Sequence, residues 1–354
     1  MIKLLNEEMQ LLKQVIEEFS EKEIDPVALS IEREGLTKEV LNSLAEKGFL
    51  GALAPVEQGG AGLDGRGYSV LLEVLARHSP SVAMYVFLQN SLFINPLLKY
   101  GSNELSQGVI PLIASGKSSG TFVNYLLTGN EITIDGSIIY GVANHIPNGS
   151  AQMCLVLAKS ASGGQLVLLD KGFKAVNDSR KLGFRGLNFS SISFDGASAK
   201  SILISENAEA EIMKIYNESA SYISAIALGI GGAALDMAVS YAKERQAFES
   251  RLIEFQPIAF LLVKLISEFN VYERYLYGIS SVKDSMMLKE LALDFSRRAS
   301  RTSLQVHGGY GYIEDSGIER FYRDSMALEL LTGSYTRDRV ELSKELLGVE
   351  SAKY

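Results

Sequence analysis

The chain has 354 residues, 47% of them hydrophobic, and a net charge of −8. That length supports a core large enough for two or three packed domains, while the acidic balance argues against nucleic acid, whose phosphates are neutralised by Lys and Arg. Cys154 is the single cysteine and His78, His145 and His307 are the three histidines, which excludes an intrachain disulfide, disfavours a Cys/His metal site and fits a reducing cytoplasm.

The first stretch, MIKLLNEEMQLLKQVIEEFSEKE, has acidic residues throughout and apolar residues at helical spacing. It reads as a surface helix and not as a secretory or transit signal. Helical stripes continue in LTKEVLNSLAEKGFLG, GYSVLLEVLARH and SVAMYVFLQNSLFINPLLKYG, broken by the turn EQGGAGLDG. From Gly120 to about Ile204 the period shortens to strand-like runs, EITIDGSIIYGV, QMCLVLAKS, QLVLLD and SSISF, with turn residues between them. Long helical patterns then return, in ALDMAVSYAKERQAF, FQPIAFLLVKLISEF and LKELALDFSRRASRTSLQV. The expected class is mainly α with a central β domain, divided as helical domain 1–118, β domain 119–205 and helical domain 206–354. Tyr222 to Ala242 is long enough to cross a membrane and carries one charge, Asp236. Its Gly, Ser and Ala content and the KERQ that follows make it a buried bundle helix, so no membrane span is expected.

QVHGGYGYIEDSGIERFYRD, Gln305 to Asp324, places glycines in a region that otherwise reads as helix. Glycines weaken helices, so backbone there is expected to approach another object closely. GGYG between two helices also reads as a simple turn, and the Arg of KERQ as a solvated helix end; only their joint spacing favours a site. His307 reads as a satisfied histidine with no chemistry, and Tyr310 and Tyr312 as packing residues with wet hydroxyls.

ALGIGGAALDMAVSYAKERQAFESRLIEFQPIAF followed by QVHGGYGYIEDSGIERFYRD resembles the C-terminal half of the acyl-CoA dehydrogenase family. GFLGALAPVEQGGAGLDG resembles the family's first-domain turn, and KLGFRG, Lys181 to Gly186, a signature of its β domain. The resemblance implies an N-terminal helical domain, a middle β-barrel and a C-terminal four-helix bundle. It also implies FAD shared between subunits, an acyl-CoA or related thioester as substrate, and an electron acceptor such as an electron-transfer flavoprotein. Arg245, Phe248, Gln256, Gln305, Gly308 and Gly309 match positions that hold the diphosphate and adenosine half of a cofactor bound chiefly by the neighbouring subunit. Arg provides a charge-assisted fork for a diphosphate, and bare glycine backbone lets N–H groups approach phosphate oxygens.

The departures from the family pattern carry equal information. The α-proton of the thioester is removed in the family by a glutamate, and the matching stretch here, TGSYTRD, puts Thr332 at that position; a threonine hydroxyl without an activating partner is no base at neutral pH. The alternative base position of a minority of members matches Ser219, and Ala220 stands where members often carry an arginine. Glu218 and Glu329 are the nearby carboxylates, weak candidates for the base that read more readily as solvated helix residues. Family members cover the flavin ring with an LTEPxAGSD loop and a WITN strand, whereas this chain reads TFVNYLLTGNEITIDGSIIYGVANHIPNGSAQ and has no tryptophan. Ser334 matches the one residue of the in-subunit flavin set that is retained. The expectation is a homo- or hetero-tetramer, and in the heteromeric form a paralogous subunit supplies the ring site and the base. An inactive subunit that completes the FAD site or serves as a scaffold, and a flavin oxidase or monooxygenase of the same fold, are the alternatives.

Overall fold

A computed structural model describes residues 7–129, 131–177, 180–331 and 335–349. Seven helices come first: α1 Glu7–Glu23, α2 Ala28–Glu34, α3 Lys38–Glu46, α4 Gly65–His78, α5 Pro80–Phe87, α6 Asn95–Tyr100 and α7 Asn103–Ala114. Several start on a side-chain cap: Thr37, Asp64, Ser79 and Ser102 each accept an orphan backbone N–H of the first turn. β1 Gly120–Asn124 leads through α8 Tyr125–Thr128 into β2 Ile132–Asp135, β3 Ile138–Pro147, β4 Met153–Ser160, β5 Gly163–Leu169, β6 Phe173–Asn177, β7 Phe189–Ser198 and β8 Ser201–Ile204. Helices α9 Ala208–Glu218 and α10 Ala220–Glu244 follow, then a hairpin of β9 Gln246–Ala247 and β10 Ser250–Arg251. The chain ends in α11 Gln256–Gly278, α12 Val282–His307, α13 Ile318–Leu331 and α14 Tyr335–Leu347.

The central strands form one eight-stranded sheet in the order β6-β7-β3-β2-β4-β5-β8, with β1 parallel to β4. Alternation along β4 explains how the sheet serves two cores. Cys154, Val156 and Ala158 point into a core the sheet curls around, with Ile139, Val167, Ile192 and Phe194. Leu155 joins α6 and α7, and Leu157 joins the main helical core. This sheet is the central β domain; the resemblance implies a barrel, and among the described residues no pairing of β6 with β8 closes it.

Helices α10, α11, α12 and α13 pack together as the C-terminal bundle, and α10 also packs on α4. Small residues permit that double contact. A Cβ at Gly229 would lie 2.3 Å from the Glu73 carbonyl oxygen, and one at Gly231 2.6 Å from the Phe295 ring. Among the described residues two stretches, Pro80–Tyr100 and Ala208–Glu244, are long and apolar enough to cross a membrane, but 89% and 72% of their most apolar windows are buried in protein.

KLGFRG, between β6 and β7, is where sheet and helices are fastened. A Cβ at Gly183 would sit 2.4 Å from the Arg323 carbonyl oxygen, so only glycine lets this loop lie on α13. The Phe184 N–H donates to the buried Asp324 carboxylate, and the Gly186 N–H donates to Ser81 Oγ at 3.2 Å. Arg323 donates to the Leu182 carbonyl at 3.1 Å and to Glu32 of α2 at 3.0 Å.

Candidate functional site

Between the end of α10 and the end of α12 lies an open cavity of about 460 Å³, lined by Tyr241, Arg245, Leu252, His307, Gly308 and Gly309 among others. α10 stops where Arg245 leaves helical geometry, at φ −70° and ψ 123°, with its N–H still donating to the Tyr241 carbonyl at 2.8 Å. That turn holds the Arg245 side chain at the cavity while the chain enters the β9–β10 hairpin. The register, Ala247 opposite Ser250, leaves Phe248 and Glu249 as a two-residue turn, and both have positive φ, 51° and 65°. This is the backbone of a hairpin turn that normally takes Asn or Gly. Phe248 is nevertheless 92% exposed. A bulky residue in left-handed geometry, with its ring in solvent, is strain held without packing in its own chain, the pattern found at functional sites.

The other wall is the glycine turn after α12. Gly308 has φ 57° and ψ −131°, a conformation that glycine alone adopts readily. A Cβ at either Gly308 or Gly309 would meet nothing within 4 Å, so their own chain leaves the space beside them open. Gly311 differs: a Cβ there would lie 2.7 Å from the Leu304 carbonyl oxygen. The Tyr241 and His307 rings stack at 4.4 Å between centroids, and Tyr310 lies 6.5 Å from Tyr241.

Of the residues singled out from sequence, Arg245, Gly308 and Gly309 come together in this cavity. Gln305 is exposed on the last turn of α12, Gln256 is exposed at the first turn of α11 and Phe248 stands at the hairpin tip; none of the three lines the cavity. Tyr241 and His307 also line it, although nothing in the sequence gives either a role there. A guanidinium opposite bare backbone in open space fits an anionic diphosphate, the central part of FAD.

Two hydroxyls on and just after β1, in the stretch TFVNYLLTGN, make bonds within the chain. Thr121 donates its hydroxyl to the Pro147 carbonyl at 2.9 Å, and Tyr125 donates its hydroxyl to Glu209 at 2.6 Å. Burial and then the Glu209 carboxylate push the Tyr125 phenol up, so it stays a protonated donor to Glu209. Both hydroxyls are committed to protein partners.

Thr332 and Ser334 lie outside the described residues. The nearby carboxylates Glu218 and Glu329 are engaged with other partners. Glu218 pairs with Lys99 of α6, and Glu329 pairs with Arg297 of α12 at 3.0 Å. Ser219 is buried and donates its hydroxyl to the Ile215 carbonyl at 2.7 Å. Ala220 is buried against Met286 and Leu342. Among the described residues there is no cluster of three His, Cys, Asp or Glu side chains placed to hold a metal ion.

Residues 6–117 match the family model of the acyl-CoA dehydrogenase N-terminal domain, and residues 210–346 that of the C-terminal domain. A 3-(aryl)acrylate reductase of Clostridium sporogenes is 29% identical, over 96% of this chain and 99% of its own. The caffeyl-CoA reductase–Etf complex subunit CarC of Acetobacterium woodii is 25% identical, over 97% of this chain and 99% of its own. Among solved structures, a glutaryl-CoA dehydrogenase from Mycobacterium smegmatis in complex with FADH2 shares the fold with a TM-score of 0.92 at 21% identity, over 99% of this chain and 97% of that one. Matched at both helical ends and alike in fold through the sheet between them, the chain belongs to the acyl-CoA dehydrogenase family of flavoprotein oxidoreductases.

Proposed function

We propose that this chain is the diphosphate-holding subunit of an FAD-dependent oxidoreductase that interconverts a saturated and an α,β-unsaturated acyl thioester, with an electron-transfer flavoprotein as redox partner. FAD, when bound, supplies the two-electron acceptor for the β-hydride. This chain's part is to hold the nucleotide: Arg245 pairs with phosphate oxygens, and the bare backbone of Gly308 and Gly309 lets phosphate come close. The observation that carries the reading is the meeting of Arg245 with the Gly308–Gly309 turn in one open cavity.

The same reading makes the cavity one half of a site between subunits. Helix α11 buries Leu262, Leu265, Leu276 and Tyr277 but leaves Phe260 67%, Val263 59% and Val271 61% exposed. A helix so apolar on its outer side needs cover, and Phe248 projects from the hairpin just before it. With Thr121 and Tyr125 committed to protein partners and no carboxylate at the base positions, the ring site and the base belong to a paralogous partner in a hetero-tetramer. The relatives' names, reductases and dehydrogenases, lend no support to an oxidase or an inert scaffold.

Purification alone and with candidate paralogues, followed by flavin absorbance and sedimentation, tests this. The expected outcome is flavin retained only in the mixed oligomer and lost from it in Arg245→Ala. A yellow oligomer of this chain alone, bleached by an acyl thioester, would overturn the division of labour.

A further inference from the structure

His307 ends α12 and is 7% exposed. Its Nδ1 lies 2.7 Å from the Ser303 carbonyl oxygen. A carbonyl only accepts, so Nδ1 carries the hydrogen, and in the neutral ring Nε2 presents a lone pair. Stacking on Tyr241 at 4.4 Å, with 27° between the planes, fixes the plane of the ring. Nε2 has no hydrogen-bond partner among the described residues, and the ring lines the cavity with Arg245 and the glycine turn. With Nδ1 turned back onto its own helix, the Nε2 edge is the polar edge left for a ligand.

In the neutral ring that edge is an acceptor among donors. Arg245 and the glycine N–H groups can only donate, and a diphosphate can only accept from them. A fixed lone pair beside them has no use for phosphate oxygens; it needs an O–H or N–H on whatever the diphosphate is joined to. In a dinucleotide the groups next to the diphosphate are sugar hydroxyls.

We propose that His307 is a specificity residue, its Nε2 accepting a hydrogen bond from a sugar hydroxyl of the nucleotide held by Arg245, Gly308 and Gly309. The inference rests on the cavity being a dinucleotide site. It makes the cavity selective for a nucleotide over free diphosphate.

The test compares FAD and inorganic pyrophosphate binding in the assembled protein for wild type, His307→Phe and His307→Gln. Phe keeps the stack on Tyr241 and loses the acceptor, whereas Gln restores an acceptor. His307→Phe is expected to bind FAD roughly five- to tenfold more weakly, the worth of one hydrogen bond, with pyrophosphate affinity unchanged and His307→Gln close to wild type. Equal FAD affinity in wild type and Phe, equal losses in Phe and Gln, or a matching loss for pyrophosphate would each overturn the assignment. Should the variants fold poorly, imidazole nitrogen resonances of the wild type decide: the His307 Nε2 signal moves on adding FAD and not pyrophosphate, and an unmoved signal refutes the proposal. Failure of the wild type to take up FAD at all counts against the site, not against the role of His307 within it.

Discussion

Arg323 on α13 reaches Glu32 on α2 at 3.0 Å, and each residue is 8% exposed. The pair joins two helices nearly 300 positions apart, and it stands beside Asp324, whose carboxyl is pushed well above the usual range by burial and then by the Glu32 charge. Arg323→Met would remove the cation paired with Glu32, next to a second acid, and also the bond from Arg323 to Glu319 at 2.6 Å. Breaking a buried pair in this way costs about 3–5 kcal/mol. The midpoint of denaturant unfolding should fall sharply in R323M and recover in part in the double variant R323M/E32M. A midpoint equal to wild type in R323M would show that the pair does not hold the joint.

How much of this the sequence reveals depends on how far apart the partners lie. The small residues of α10 signal close packing by themselves, and Gly229 and Gly231 meet α4 and α12 as that composition implies. Strand β4 is equally plain in QMCLVLAKS, because its MCLVLA run, apolar at every position, needs cover on both faces. KLGFRG is recognisable as a signature but not as a joint, since Phe184 finds Asp324 across 140 positions. Glu329 looks like a spare carboxylate until the fold brings Arg297 to it. His307 is the sharpest case: its stack on Tyr241 is a tertiary contact, and without it the ring has neither a fixed plane nor a cavity to face.

A pH dependence follows from His78 at the end of α4, held between Glu17 at Nε2 and Asp25 at Nδ1, both 2.8 Å away. Burial alone would lower its pKa, but hydrogen bonds to the two carboxylates outweigh burial and raise it above the ordinary 6.5. Its contribution is therefore complete below about pH 6.5, the unfolded value, and is lost as pH rises through the folded pKa. Glu17 moves the opposite way, lowered from 4.5 chiefly by its bond to His78. Its contribution is present above that value and is lost as pH falls through the lowered pKa. The cluster is thus strongest between about pH 5 and 6.5. Melting temperature against pH for wild type and His78→Gln should converge towards the alkaline side. Parallel curves across that range would exclude the cluster as the source.

The hairpin tip separates stability from assembly. At φ 51° Phe248 carries about 1 kcal/mol of left-handed strain that glycine does not. Phe248→Gly should leave the isolated chain as stable as wild type or slightly more so, because a ring 92% exposed packs on nothing in its own chain. In the assembled protein the same change should weaken subunit association, read as a shift to smaller species by sedimentation. Lower stability of the isolated chain together with unchanged association would mean that the ring serves its own fold.

GGYG holds three glycines with three different reasons to be glycine, and alanine at each tells them apart. Gly311→Ala puts a methyl 2.7 Å from the Leu304 carbonyl oxygen, so the end of α12 must shift and stability falls. Gly308→Ala meets no atom but imposes a side chain at φ 57° and ψ −131°, so it costs about 1–3 kcal/mol in backbone strain. Gly309→Ala has neither penalty, since its φ is not in the left-handed range and its Cβ would project into open space. Unfolding of Gly309→Ala should therefore match wild type, while flavin retained by the assembled protein should drop because the methyl occupies the approach to the backbone. Were Gly309→Ala to keep its flavin, the bare backbone at that position would have no part in holding the nucleotide.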